Sequence, residues 1–153
     1  MIALQYLKTT NPKTTFFMSS KFRINLDVRW GNMDAFGHVN SGAYLQYLEE
    51  IRVQWMNSVP SHWQSSDTGP VVANVSINYR QAIQWPAKIE VTLKPLSPGR
   101  SSIKLEHEIR EATEEPDKGE LYADATVTVV WIDKTKGESV PLPGCIRDLA
   151  AGD

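Results

Sequence analysis

One segment of the chain, residues 41–57, has the apolar spacing of a helix, whereas the segments around it alternate with the period of β-strands. The apolar stripe of this segment recurs at three- and four-residue steps and consists of Tyr44, Leu48, Ile51 and Trp55. Leu45 and Met56 lie outside the stripe, so the helix needs apolar cover on more than one side. Alternation predicts strands over residues 22–30, 71–79, 89–93, 103–109 and 121–131. This order predicts an α+β domain with an antiparallel sheet, and a sheet wrapped around one long helix would supply the cover.

The loop before this predicted helix brings a carboxylate close to free backbone donors. Asp34 lies in the loop, and Asn40 or Ser41 can cap the helix by accepting a bond from a first-turn amide. The N–H groups at a helix start lack intrahelical partners and carry partial positive charge. A carboxylate can act as a base or a nucleophile, and such amides can hold a developing oxyanion, so the pair suits attack on an activated carbonyl. The same residues also fit a plain turn and a helix cap.

Composition argues against several other functions. The chain of 153 residues has a net charge of −2, which gives no electrostatic case for binding nucleic acid or an anionic membrane surface. The single cysteine, Cys145, rules out an internal disulfide and a cysteine-based metal site. His38, His62 and His107 have no ligand spacing, so we expect neither a metal nor another cofactor. No apolar run approaches the roughly 18 residues that a membrane span needs.

The length suits one domain, which we assign to residues 22–148. Residues 1–21 are rich in Ser and Thr and contain no acid, and we expect a loosely ordered N-terminal extension there. Residues 149–153 are expected to form a short tail. The N-terminal extension lacks the long apolar core of a secretory signal, which favours a cytoplasmic protein.

Residues 28–52 resemble the signature of the hotdog-fold acyl-CoA thioesterases of the 4-hydroxybenzoyl-CoA thioesterase type. That signature is an aspartate three residues before Gly-His-Val-Asn, followed by a tyrosine and a helix with a Glu-x-x-Arg-like pattern. Asp34, the run 37–40 and Tyr44 match it. Weaker similarity continues in three later segments, 77–80, 97–102 and 126–131, so the resemblance covers about residues 22 to 148. In one departure from the family, Asn32 stands where an acid often precedes the catalytic one.

The resemblance implies a hotdog fold, in which the antiparallel sheet wraps around the long helix. It also implies hydrolysis of an acyl-CoA substrate to free acid and CoA, with Asp34 as the catalytic carboxylate. The family places a helix-start amide against the thioester oxygen, and the matching donor is the backbone N–H of Ser41, with Gly42 as its neighbour. The family is built as a dimer with a shared active site, so we expect a homodimer or tetramer with the site at the subunit interface.

Six residues are assigned to substrate binding by resemblance and position: Gly37, His38, Asn40, Tyr44, Arg80 and Arg100. Gly37 would permit a tight turn, and the two arginines are candidates for meeting the phosphates of CoA. His38 could orient Asp34 or the substrate, or it could simply bond the loop backbone. Glu49 or Glu50 is the second choice of catalytic acid, because a related branch of hotdog enzymes uses a helix carboxylate.

Two other functions stay open. His38 would be the base of a hotdog hydratase or dehydratase acting on acyl thioesters, although the further acid motif of those enzymes is missing. A non-catalytic acyl-thioester-binding protein would share the same fold. The sequence also leaves open whether Asp34 attacks the carbonyl or activates water, and which acyl group is cleaved. His107 stands in an alternating apolar row, which predicts a hydrogen-bonded interior histidine.

Overall fold

The computed structural model describes residues 21–59, 62–63 and 65–152, so the predicted extension, apart from Lys21, lies outside the described residues. The strands are β1 (Phe22–Asp27), β2 (Thr68–Tyr79), β3 (Lys88–Pro95), β4 (Ser102–Glu111) and β5 (Leu121–Asp133). The helices are α1 (Ser41–Asn57) and α2 (Gly144–Ala151), and a 3-10 turn covers Trp30–Asn32.

The five strands form one antiparallel sheet in the order β1-β3-β4-β5-β2. β3, β4 and β5 are neighbours in both chain and sheet, which is the usual result of short turns between alternating segments. α1 connects β1 at one edge to β2 at the opposite edge, and its backbone lies closest to β3 and β1. The predicted α+β architecture, an antiparallel sheet around one long helix, is confirmed.

The core lies between α1 and the inner face of the sheet. Alternate residues of the three central strands point inward and are almost fully buried, namely Ile89, Val91, Leu93, Ile103, Leu105, Ile109, Ala123, Val127 and Val129. All four positions of the predicted helical stripe are buried with at most 3% exposure. Burying one such large apolar side chain contributes roughly 1.5–3 kcal/mol, so this stripe holds α1 against the sheet.

His107 lies in the inner row of β4 and is 2% exposed, as its apolar neighbours predict. Its Nδ1 lies 3.2 Å from the carbonyl oxygen of Thr92, whereas its Nε2 has no partner within the described residues. Burial, followed by the charge of Arg52, lowers the pKa of His107 to about 3. The imidazole is therefore neutral at pH 7, and only one of its two nitrogens is bonded in the part of the chain that the structure describes.

β1 ends at Asp27, three residues earlier than the alternation predicts. The backbone N–H of Val28 still donates to the carbonyl of Ala87, but the chain then turns into the 3-10 turn. Trp30 is consequently 74% exposed rather than part of the inner row. The turn is fixed by Asn32, whose side chain accepts the backbone N–H of Arg29 at 3.0 Å. Period-two alternation could not reveal this local bond, which competes with continuation of the strand.

β2 is present, but burial along it does not alternate as predicted, and most of its side chains are exposed. Val71, Val75 and Tyr79 are between 36% and 49% exposed. β2 is an edge strand, paired on one side with β5, and a bulge interrupts its register between Val72 and Asn74. Because the backbone of α1 lies closest to β1 and β3, this edge of the sheet is left uncovered.

The end of the chain forms the helix α2, which the sequence analysis did not predict. The domain boundary assigned after residue 148 falls inside this helix, and Ile146 and Ala150 are buried one turn apart. Arg147 donates through Nη2 to the carbonyls of Gly99 and Arg100, at 2.8 and 2.7 Å. The i, i+4 spacing of these two apolar residues is the only helical pattern that the sequence offers here. A segment of eight residues is too short for that pattern to predict a helix.

Candidate active site

The loop between the 3-10 turn and α1 is a tight backbone structure, called here the Asp34 loop (residues 33–39). Met33 and Val39 form an isolated antiparallel bridge at its ends. The N–H of Asp34 donates to the carbonyl of His38 at 2.8 Å, and the N–H of Gly37 donates to the carbonyl of Asp34 at 3.2 Å. Gly37 has a φ of +78°, which only glycine adopts without strain. The loop geometry therefore requires the glycine that the sequence analysis singled out for a tight turn.

The carboxylate of Asp34 is held by the same loop. Its Oδ1 accepts the backbone N–H of Phe36 at 2.8 Å and that of His38 at 3.3 Å. Its second oxygen, Oδ2, has no hydrogen bond within the described residues. The first bond is the usual behaviour of an aspartate in a turn. The two bonds also fix the direction of the carboxylate and leave one oxygen free for chemistry.

The start of α1 lies beside this loop. Asn40 is the helix cap, and its Oδ1 accepts the N–H of Gly42 at 2.8 Å, while its carbonyl accepts the N–H of Ala43 at 2.9 Å. The N–H of Ser41 donates to no atom of the described residues. The predicted oxyanion donor, the N–H of Ser41, is thus available within the described residues, whereas the N–H of its neighbour Gly42 is occupied by the cap.

A cavity of about 320 Å³ opens in front of these groups. It is lined by Asp34, His38, Val39, Ser41, Tyr44, Tyr79, Arg80, Gln81 and Ala82. Five of these residues were predicted for the site from the sequence, and they come from the Asp34 loop, the first turn of α1 and the residue after β2. Tyr79 and Gln81 were not predicted, because nothing in the sequence indicates that the end of β2 faces the start of α1.

Arg80 enters the cavity wall with its side chain already in an ion pair. Its Nε donates to Oδ1 of Asp124 at 2.6 Å, and Asn78 donates to the other oxygen of that carboxylate at 2.8 Å. The hydrogen bond from Arg80 lowers the pKa of Asp124 below its usual range. The backbone N–H groups of Arg80 and Gln81 both donate to the carbonyl of Tyr122, which fixes the position of this segment.

Arg100, the other predicted phosphate contact, lies far from this cavity within one chain. Its neighbour Ser101 accepts the N–H of Trp131, whereas the end of β2 pairs with Ala123 at the other end of β5. At about 3.3 Å per residue these two points of β5 are roughly 25 Å apart. The cavity residues and Arg100 are therefore not brought together by a single copy of the fold.

The alternative acids Glu49 and Glu50 lie on the exposed side of α1, away from the cavity. Glu50 lines a different cavity with Arg29 and Asn32, and accepts a hydrogen bond from Gln54 at 2.7 Å. Neither glutamate reaches the Asp34 loop within the described chain.

No three His, Cys, Asp or Glu side chains in the described parts of the chain lie close enough together to hold a metal ion. No helix in the described ranges is long and apolar enough to cross a membrane.

A sheet around one helix, with a carboxylate beside the start of that helix, is the framework of a hotdog-fold enzyme that acts on thioesters. The sequence model of the thioesterase-like superfamily matches residues 28–150, which is most of the chain. The protein belongs to this superfamily, and it is a thioester hydrolase. The family and fold predicted from the sequence are both confirmed.

Individual relatives agree with this assignment. The chain is 35% identical over 127 residues to the long-chain acyl-CoA thioesterase FadM of Escherichia coli, covering 80% of this chain and 92% of FadM. The solved structure of the PA2801 protein from Pseudomonas aeruginosa is 35% identical, with a TM-score of 0.73 and coverage of 82% and 94%. A thioesterase from Thermus thermophilus, solved with coenzyme A and zinc, is 29% identical, with a TM-score of 0.69 and coverage of 84% and 95%.

Proposed function

We propose that the protein is an acyl-CoA thioesterase in which Asp34 is the catalytic carboxylate and the Ser41 N–H is the oxyanion donor. One observation carries this proposal: Oδ2 of Asp34 and the N–H of Ser41, neither of which has a partner within the described residues, belong to residues that line the same cavity. The names of FadM and of the coenzyme A complex support the choice of an acyl-CoA substrate.

The chemistry follows from these two groups. The thioester oxygen accepts the Ser41 N–H, which stabilises the negative charge that develops when the carbonyl carbon is attacked. A donor of this kind is typically worth about 3 kcal/mol of barrier. Asp34 either attacks the carbon through Oδ2 and forms an anhydride that water then opens, or aligns a water that attacks directly. In both routes the carbon–sulfur bond breaks, the thiol leaves as CoA, and water supplies the second oxygen of the acid.

The other cavity residues have supporting roles in this proposal. His38 acts on Asp34 through its backbone N–H, and its side chain is free to contact the substrate. Tyr44 is 3% exposed and forms a wall of the cavity. Arg80 keeps the ends of its guanidinium group free of described partners, so they are available to a polar group of the substrate.

We also propose that the enzyme is a homo-oligomer in which the uncovered edge strand β2 meets a second copy. Exposed edge strands pair readily with other chains, and β2 combines a free edge with exposed Val71, Val72 and Val75. Phe36 in the Asp34 loop is 85% exposed. A second copy against β2 would cover apolar surface and would close the open side of the cavity beside Tyr79. It would also be the only way for Arg100 to contribute to the site.

The substrate is tested by measuring thiol release from a panel of saturated, unsaturated and aromatic acyl-CoAs. We expect turnover of at least one acyl-CoA above the rate without enzyme. Absorbance of the enoyl group, followed in parallel with 2-enoyl-CoA, separates hydrolysis from hydration. Hydration without thiol release would favour the hydratase alternative, and no reaction with any acyl-CoA would contradict the proposal.

A further inference from the structure

Tyr79, the last residue of β2, contacts the first turn of α1 at the candidate oxyanion donor. Its hydroxyl donates to the carbonyl of Ser41 at 3.3 Å. Its ring meets the ring of Tyr44 edge to face, with centroids 5.0 Å apart and an interplanar angle of 89°. Such aromatic pairs contribute beyond the area they bury, so the two contacts together attach the end of β2 to the helix start.

The two residues that Tyr79 contacts differ in how firmly they are held. Tyr44 is buried, whereas Ser41 is exposed and is the first residue of the helix, where backbone N–H groups lack intrahelical partners. The side chain of the cap Asn40 accepts the N–H of Gly42, and its carbonyl accepts the N–H of Ala43. These bonds hold both peptide groups beside Ser41 within the helix start, but they do not connect the helix start to β2. The Tyr79 hydroxyl is the side-chain contact, within the described residues, that reaches Ser41 itself.

We propose that Tyr79 is a positioning residue that fixes Ser41 so that its N–H points at the thioester oxygen. This inference rests on the proposed function, because it assigns a role to a residue that acts through the proposed oxyanion donor. A hydrogen-bond donor contributes to catalysis only when it is aimed at the place where charge develops, and small misplacements are costly. Tyr79 transfers no proton in this account, and it touches the helix rather than the reacting atoms.

The test removes only the hydroxyl, with Tyr79→Phe. We expect kcat to fall about tenfold, less than the hundredfold or more that follows loss of a donor itself. KM should change little and the pH profile of kcat should keep its shape, because ground-state contacts and titrating groups are retained. Tyr122→Phe is the matched control, since the Tyr122 hydroxyl has no hydrogen bond within the described residues, and it should behave as the native enzyme. Oligomeric state and thermal unfolding are measured for both variants.

The possible outcomes separate this inference from the proposed function. If the native enzyme releases thiol and Tyr79→Phe has the same kcat, the positioning role is wrong and the proposed function survives. A raised KM with unchanged kcat would instead make Tyr79 a substrate contact. Loss of the alkaline limb of the pH profile would make it a proton donor or acceptor. If the native enzyme releases no thiol from any acyl-CoA, the proposed function fails, and the positioning role fails with it.

Discussion

The hydroxyl of Tyr47 on α1 donates to Oδ1 of Asn32 at 3.1 Å, and this bond ties the helix to the turn that precedes the Asp34 loop. The same oxygen accepts the backbone N–H of Arg29. Burial raises the pKa of Tyr47 to about 12, so its hydroxyl stays a donor at every pH at which the enzyme would be assayed. Asn32, which replaces the acid often found in the family, thus supplies the acceptor that the turn needs.

This relationship predicts different effects for two substitutions at Asn32. Asn32→Asp keeps an oxygen that can accept both bonds, so the free energy of unfolding should stay within about 1 kcal/mol of native. Asn32→Leu has a similar volume but no acceptor, which leaves the hydroxyl of buried Tyr47 and the Arg29 N–H unpaired and should cost about 1–3 kcal/mol. Urea denaturation of the three proteins measures this. Equal destabilisation by Asp and Leu would show that the acceptor is unimportant.

His107 predicts a pH dependence of stability. The unfolded chain takes up a proton at this residue near pH 6.5, whereas the folded protein does so only near pH 3. The stability that neutral His107 contributes is therefore fully present above pH 6.5. As the pH falls towards 3, the free energy of unfolding decreases by up to about 1.4 kcal/mol per pH unit. Denaturation midpoints between pH 7.5 and 5 should fall in the native protein and fall less in His107→Leu.

The control for this experiment is His62→Leu, at a histidine in the exposed loop after α1. It should show the native slope between pH 7.5 and 5. This window lies above the range in which ordinary carboxylates titrate, so acidic groups contribute little to the slope. A native slope that His107→Leu leaves unchanged would contradict the assignment.

The exposed apolar face of β2 predicts the oligomeric state. The native protein should be a dimer or a larger oligomer by size-exclusion chromatography with light scattering. Val75→Lys places a charge in the proposed interface and should shift the population towards monomer. Val53→Lys makes the same change on α1, at a valine that is 40% exposed against 36% for Val75, and should leave the state unchanged. A monomeric native protein would contradict the proposed assembly.

Much of the fold could be predicted because its signals are local. The spacing of Tyr44, Leu48, Ile51 and Trp55 follows the period of a helix, and the buried residues of β3, β4 and β5 alternate with the period of a strand. The pairing of Asp34 with the helix start was also predictable, since seven residues of chain and one helix cap bring them together. The resemblance to a known family added predicted roles for the individual residues, and those roles stay predictions.

The remaining features depend on contacts between distant parts of the chain. The end of β1 is set by side-chain bonds of Asn32, and the exposure of β2 is set by the path of α1 over other strands. The meeting of Tyr79 with Ser41 and the separation of Arg80 from Arg100 follow from strand order and register. Period and spacing within one segment carry no information on such contacts.

The catalytic role of Asp34 is tested by comparison with Asp133, a second aspartate that accepts two backbone N–H groups in a turn. Oδ1 of Asp133 accepts the backbone N–H groups of Thr135 and Lys136, both at 2.8 Å, much as Oδ1 of Asp34 accepts two loop amides. Asp133 does not line the cavity in front of Ser41. Asparagine at either position keeps the accepting oxygen and removes only the carboxylate.

The measurement is kcat/KM for thiol release from the best acyl-CoA, with native enzyme, Asp34→Asn and Asp133→Asn. We predict a loss of at least a hundredfold for Asp34→Asn, the scale of a principal catalytic group, and near-native activity for Asp133→Asn, with both variants folded. If Asp34→Asn retains the activity of Asp133→Asn, Asp34 is only a turn residue, and the catalytic carboxylate lies elsewhere.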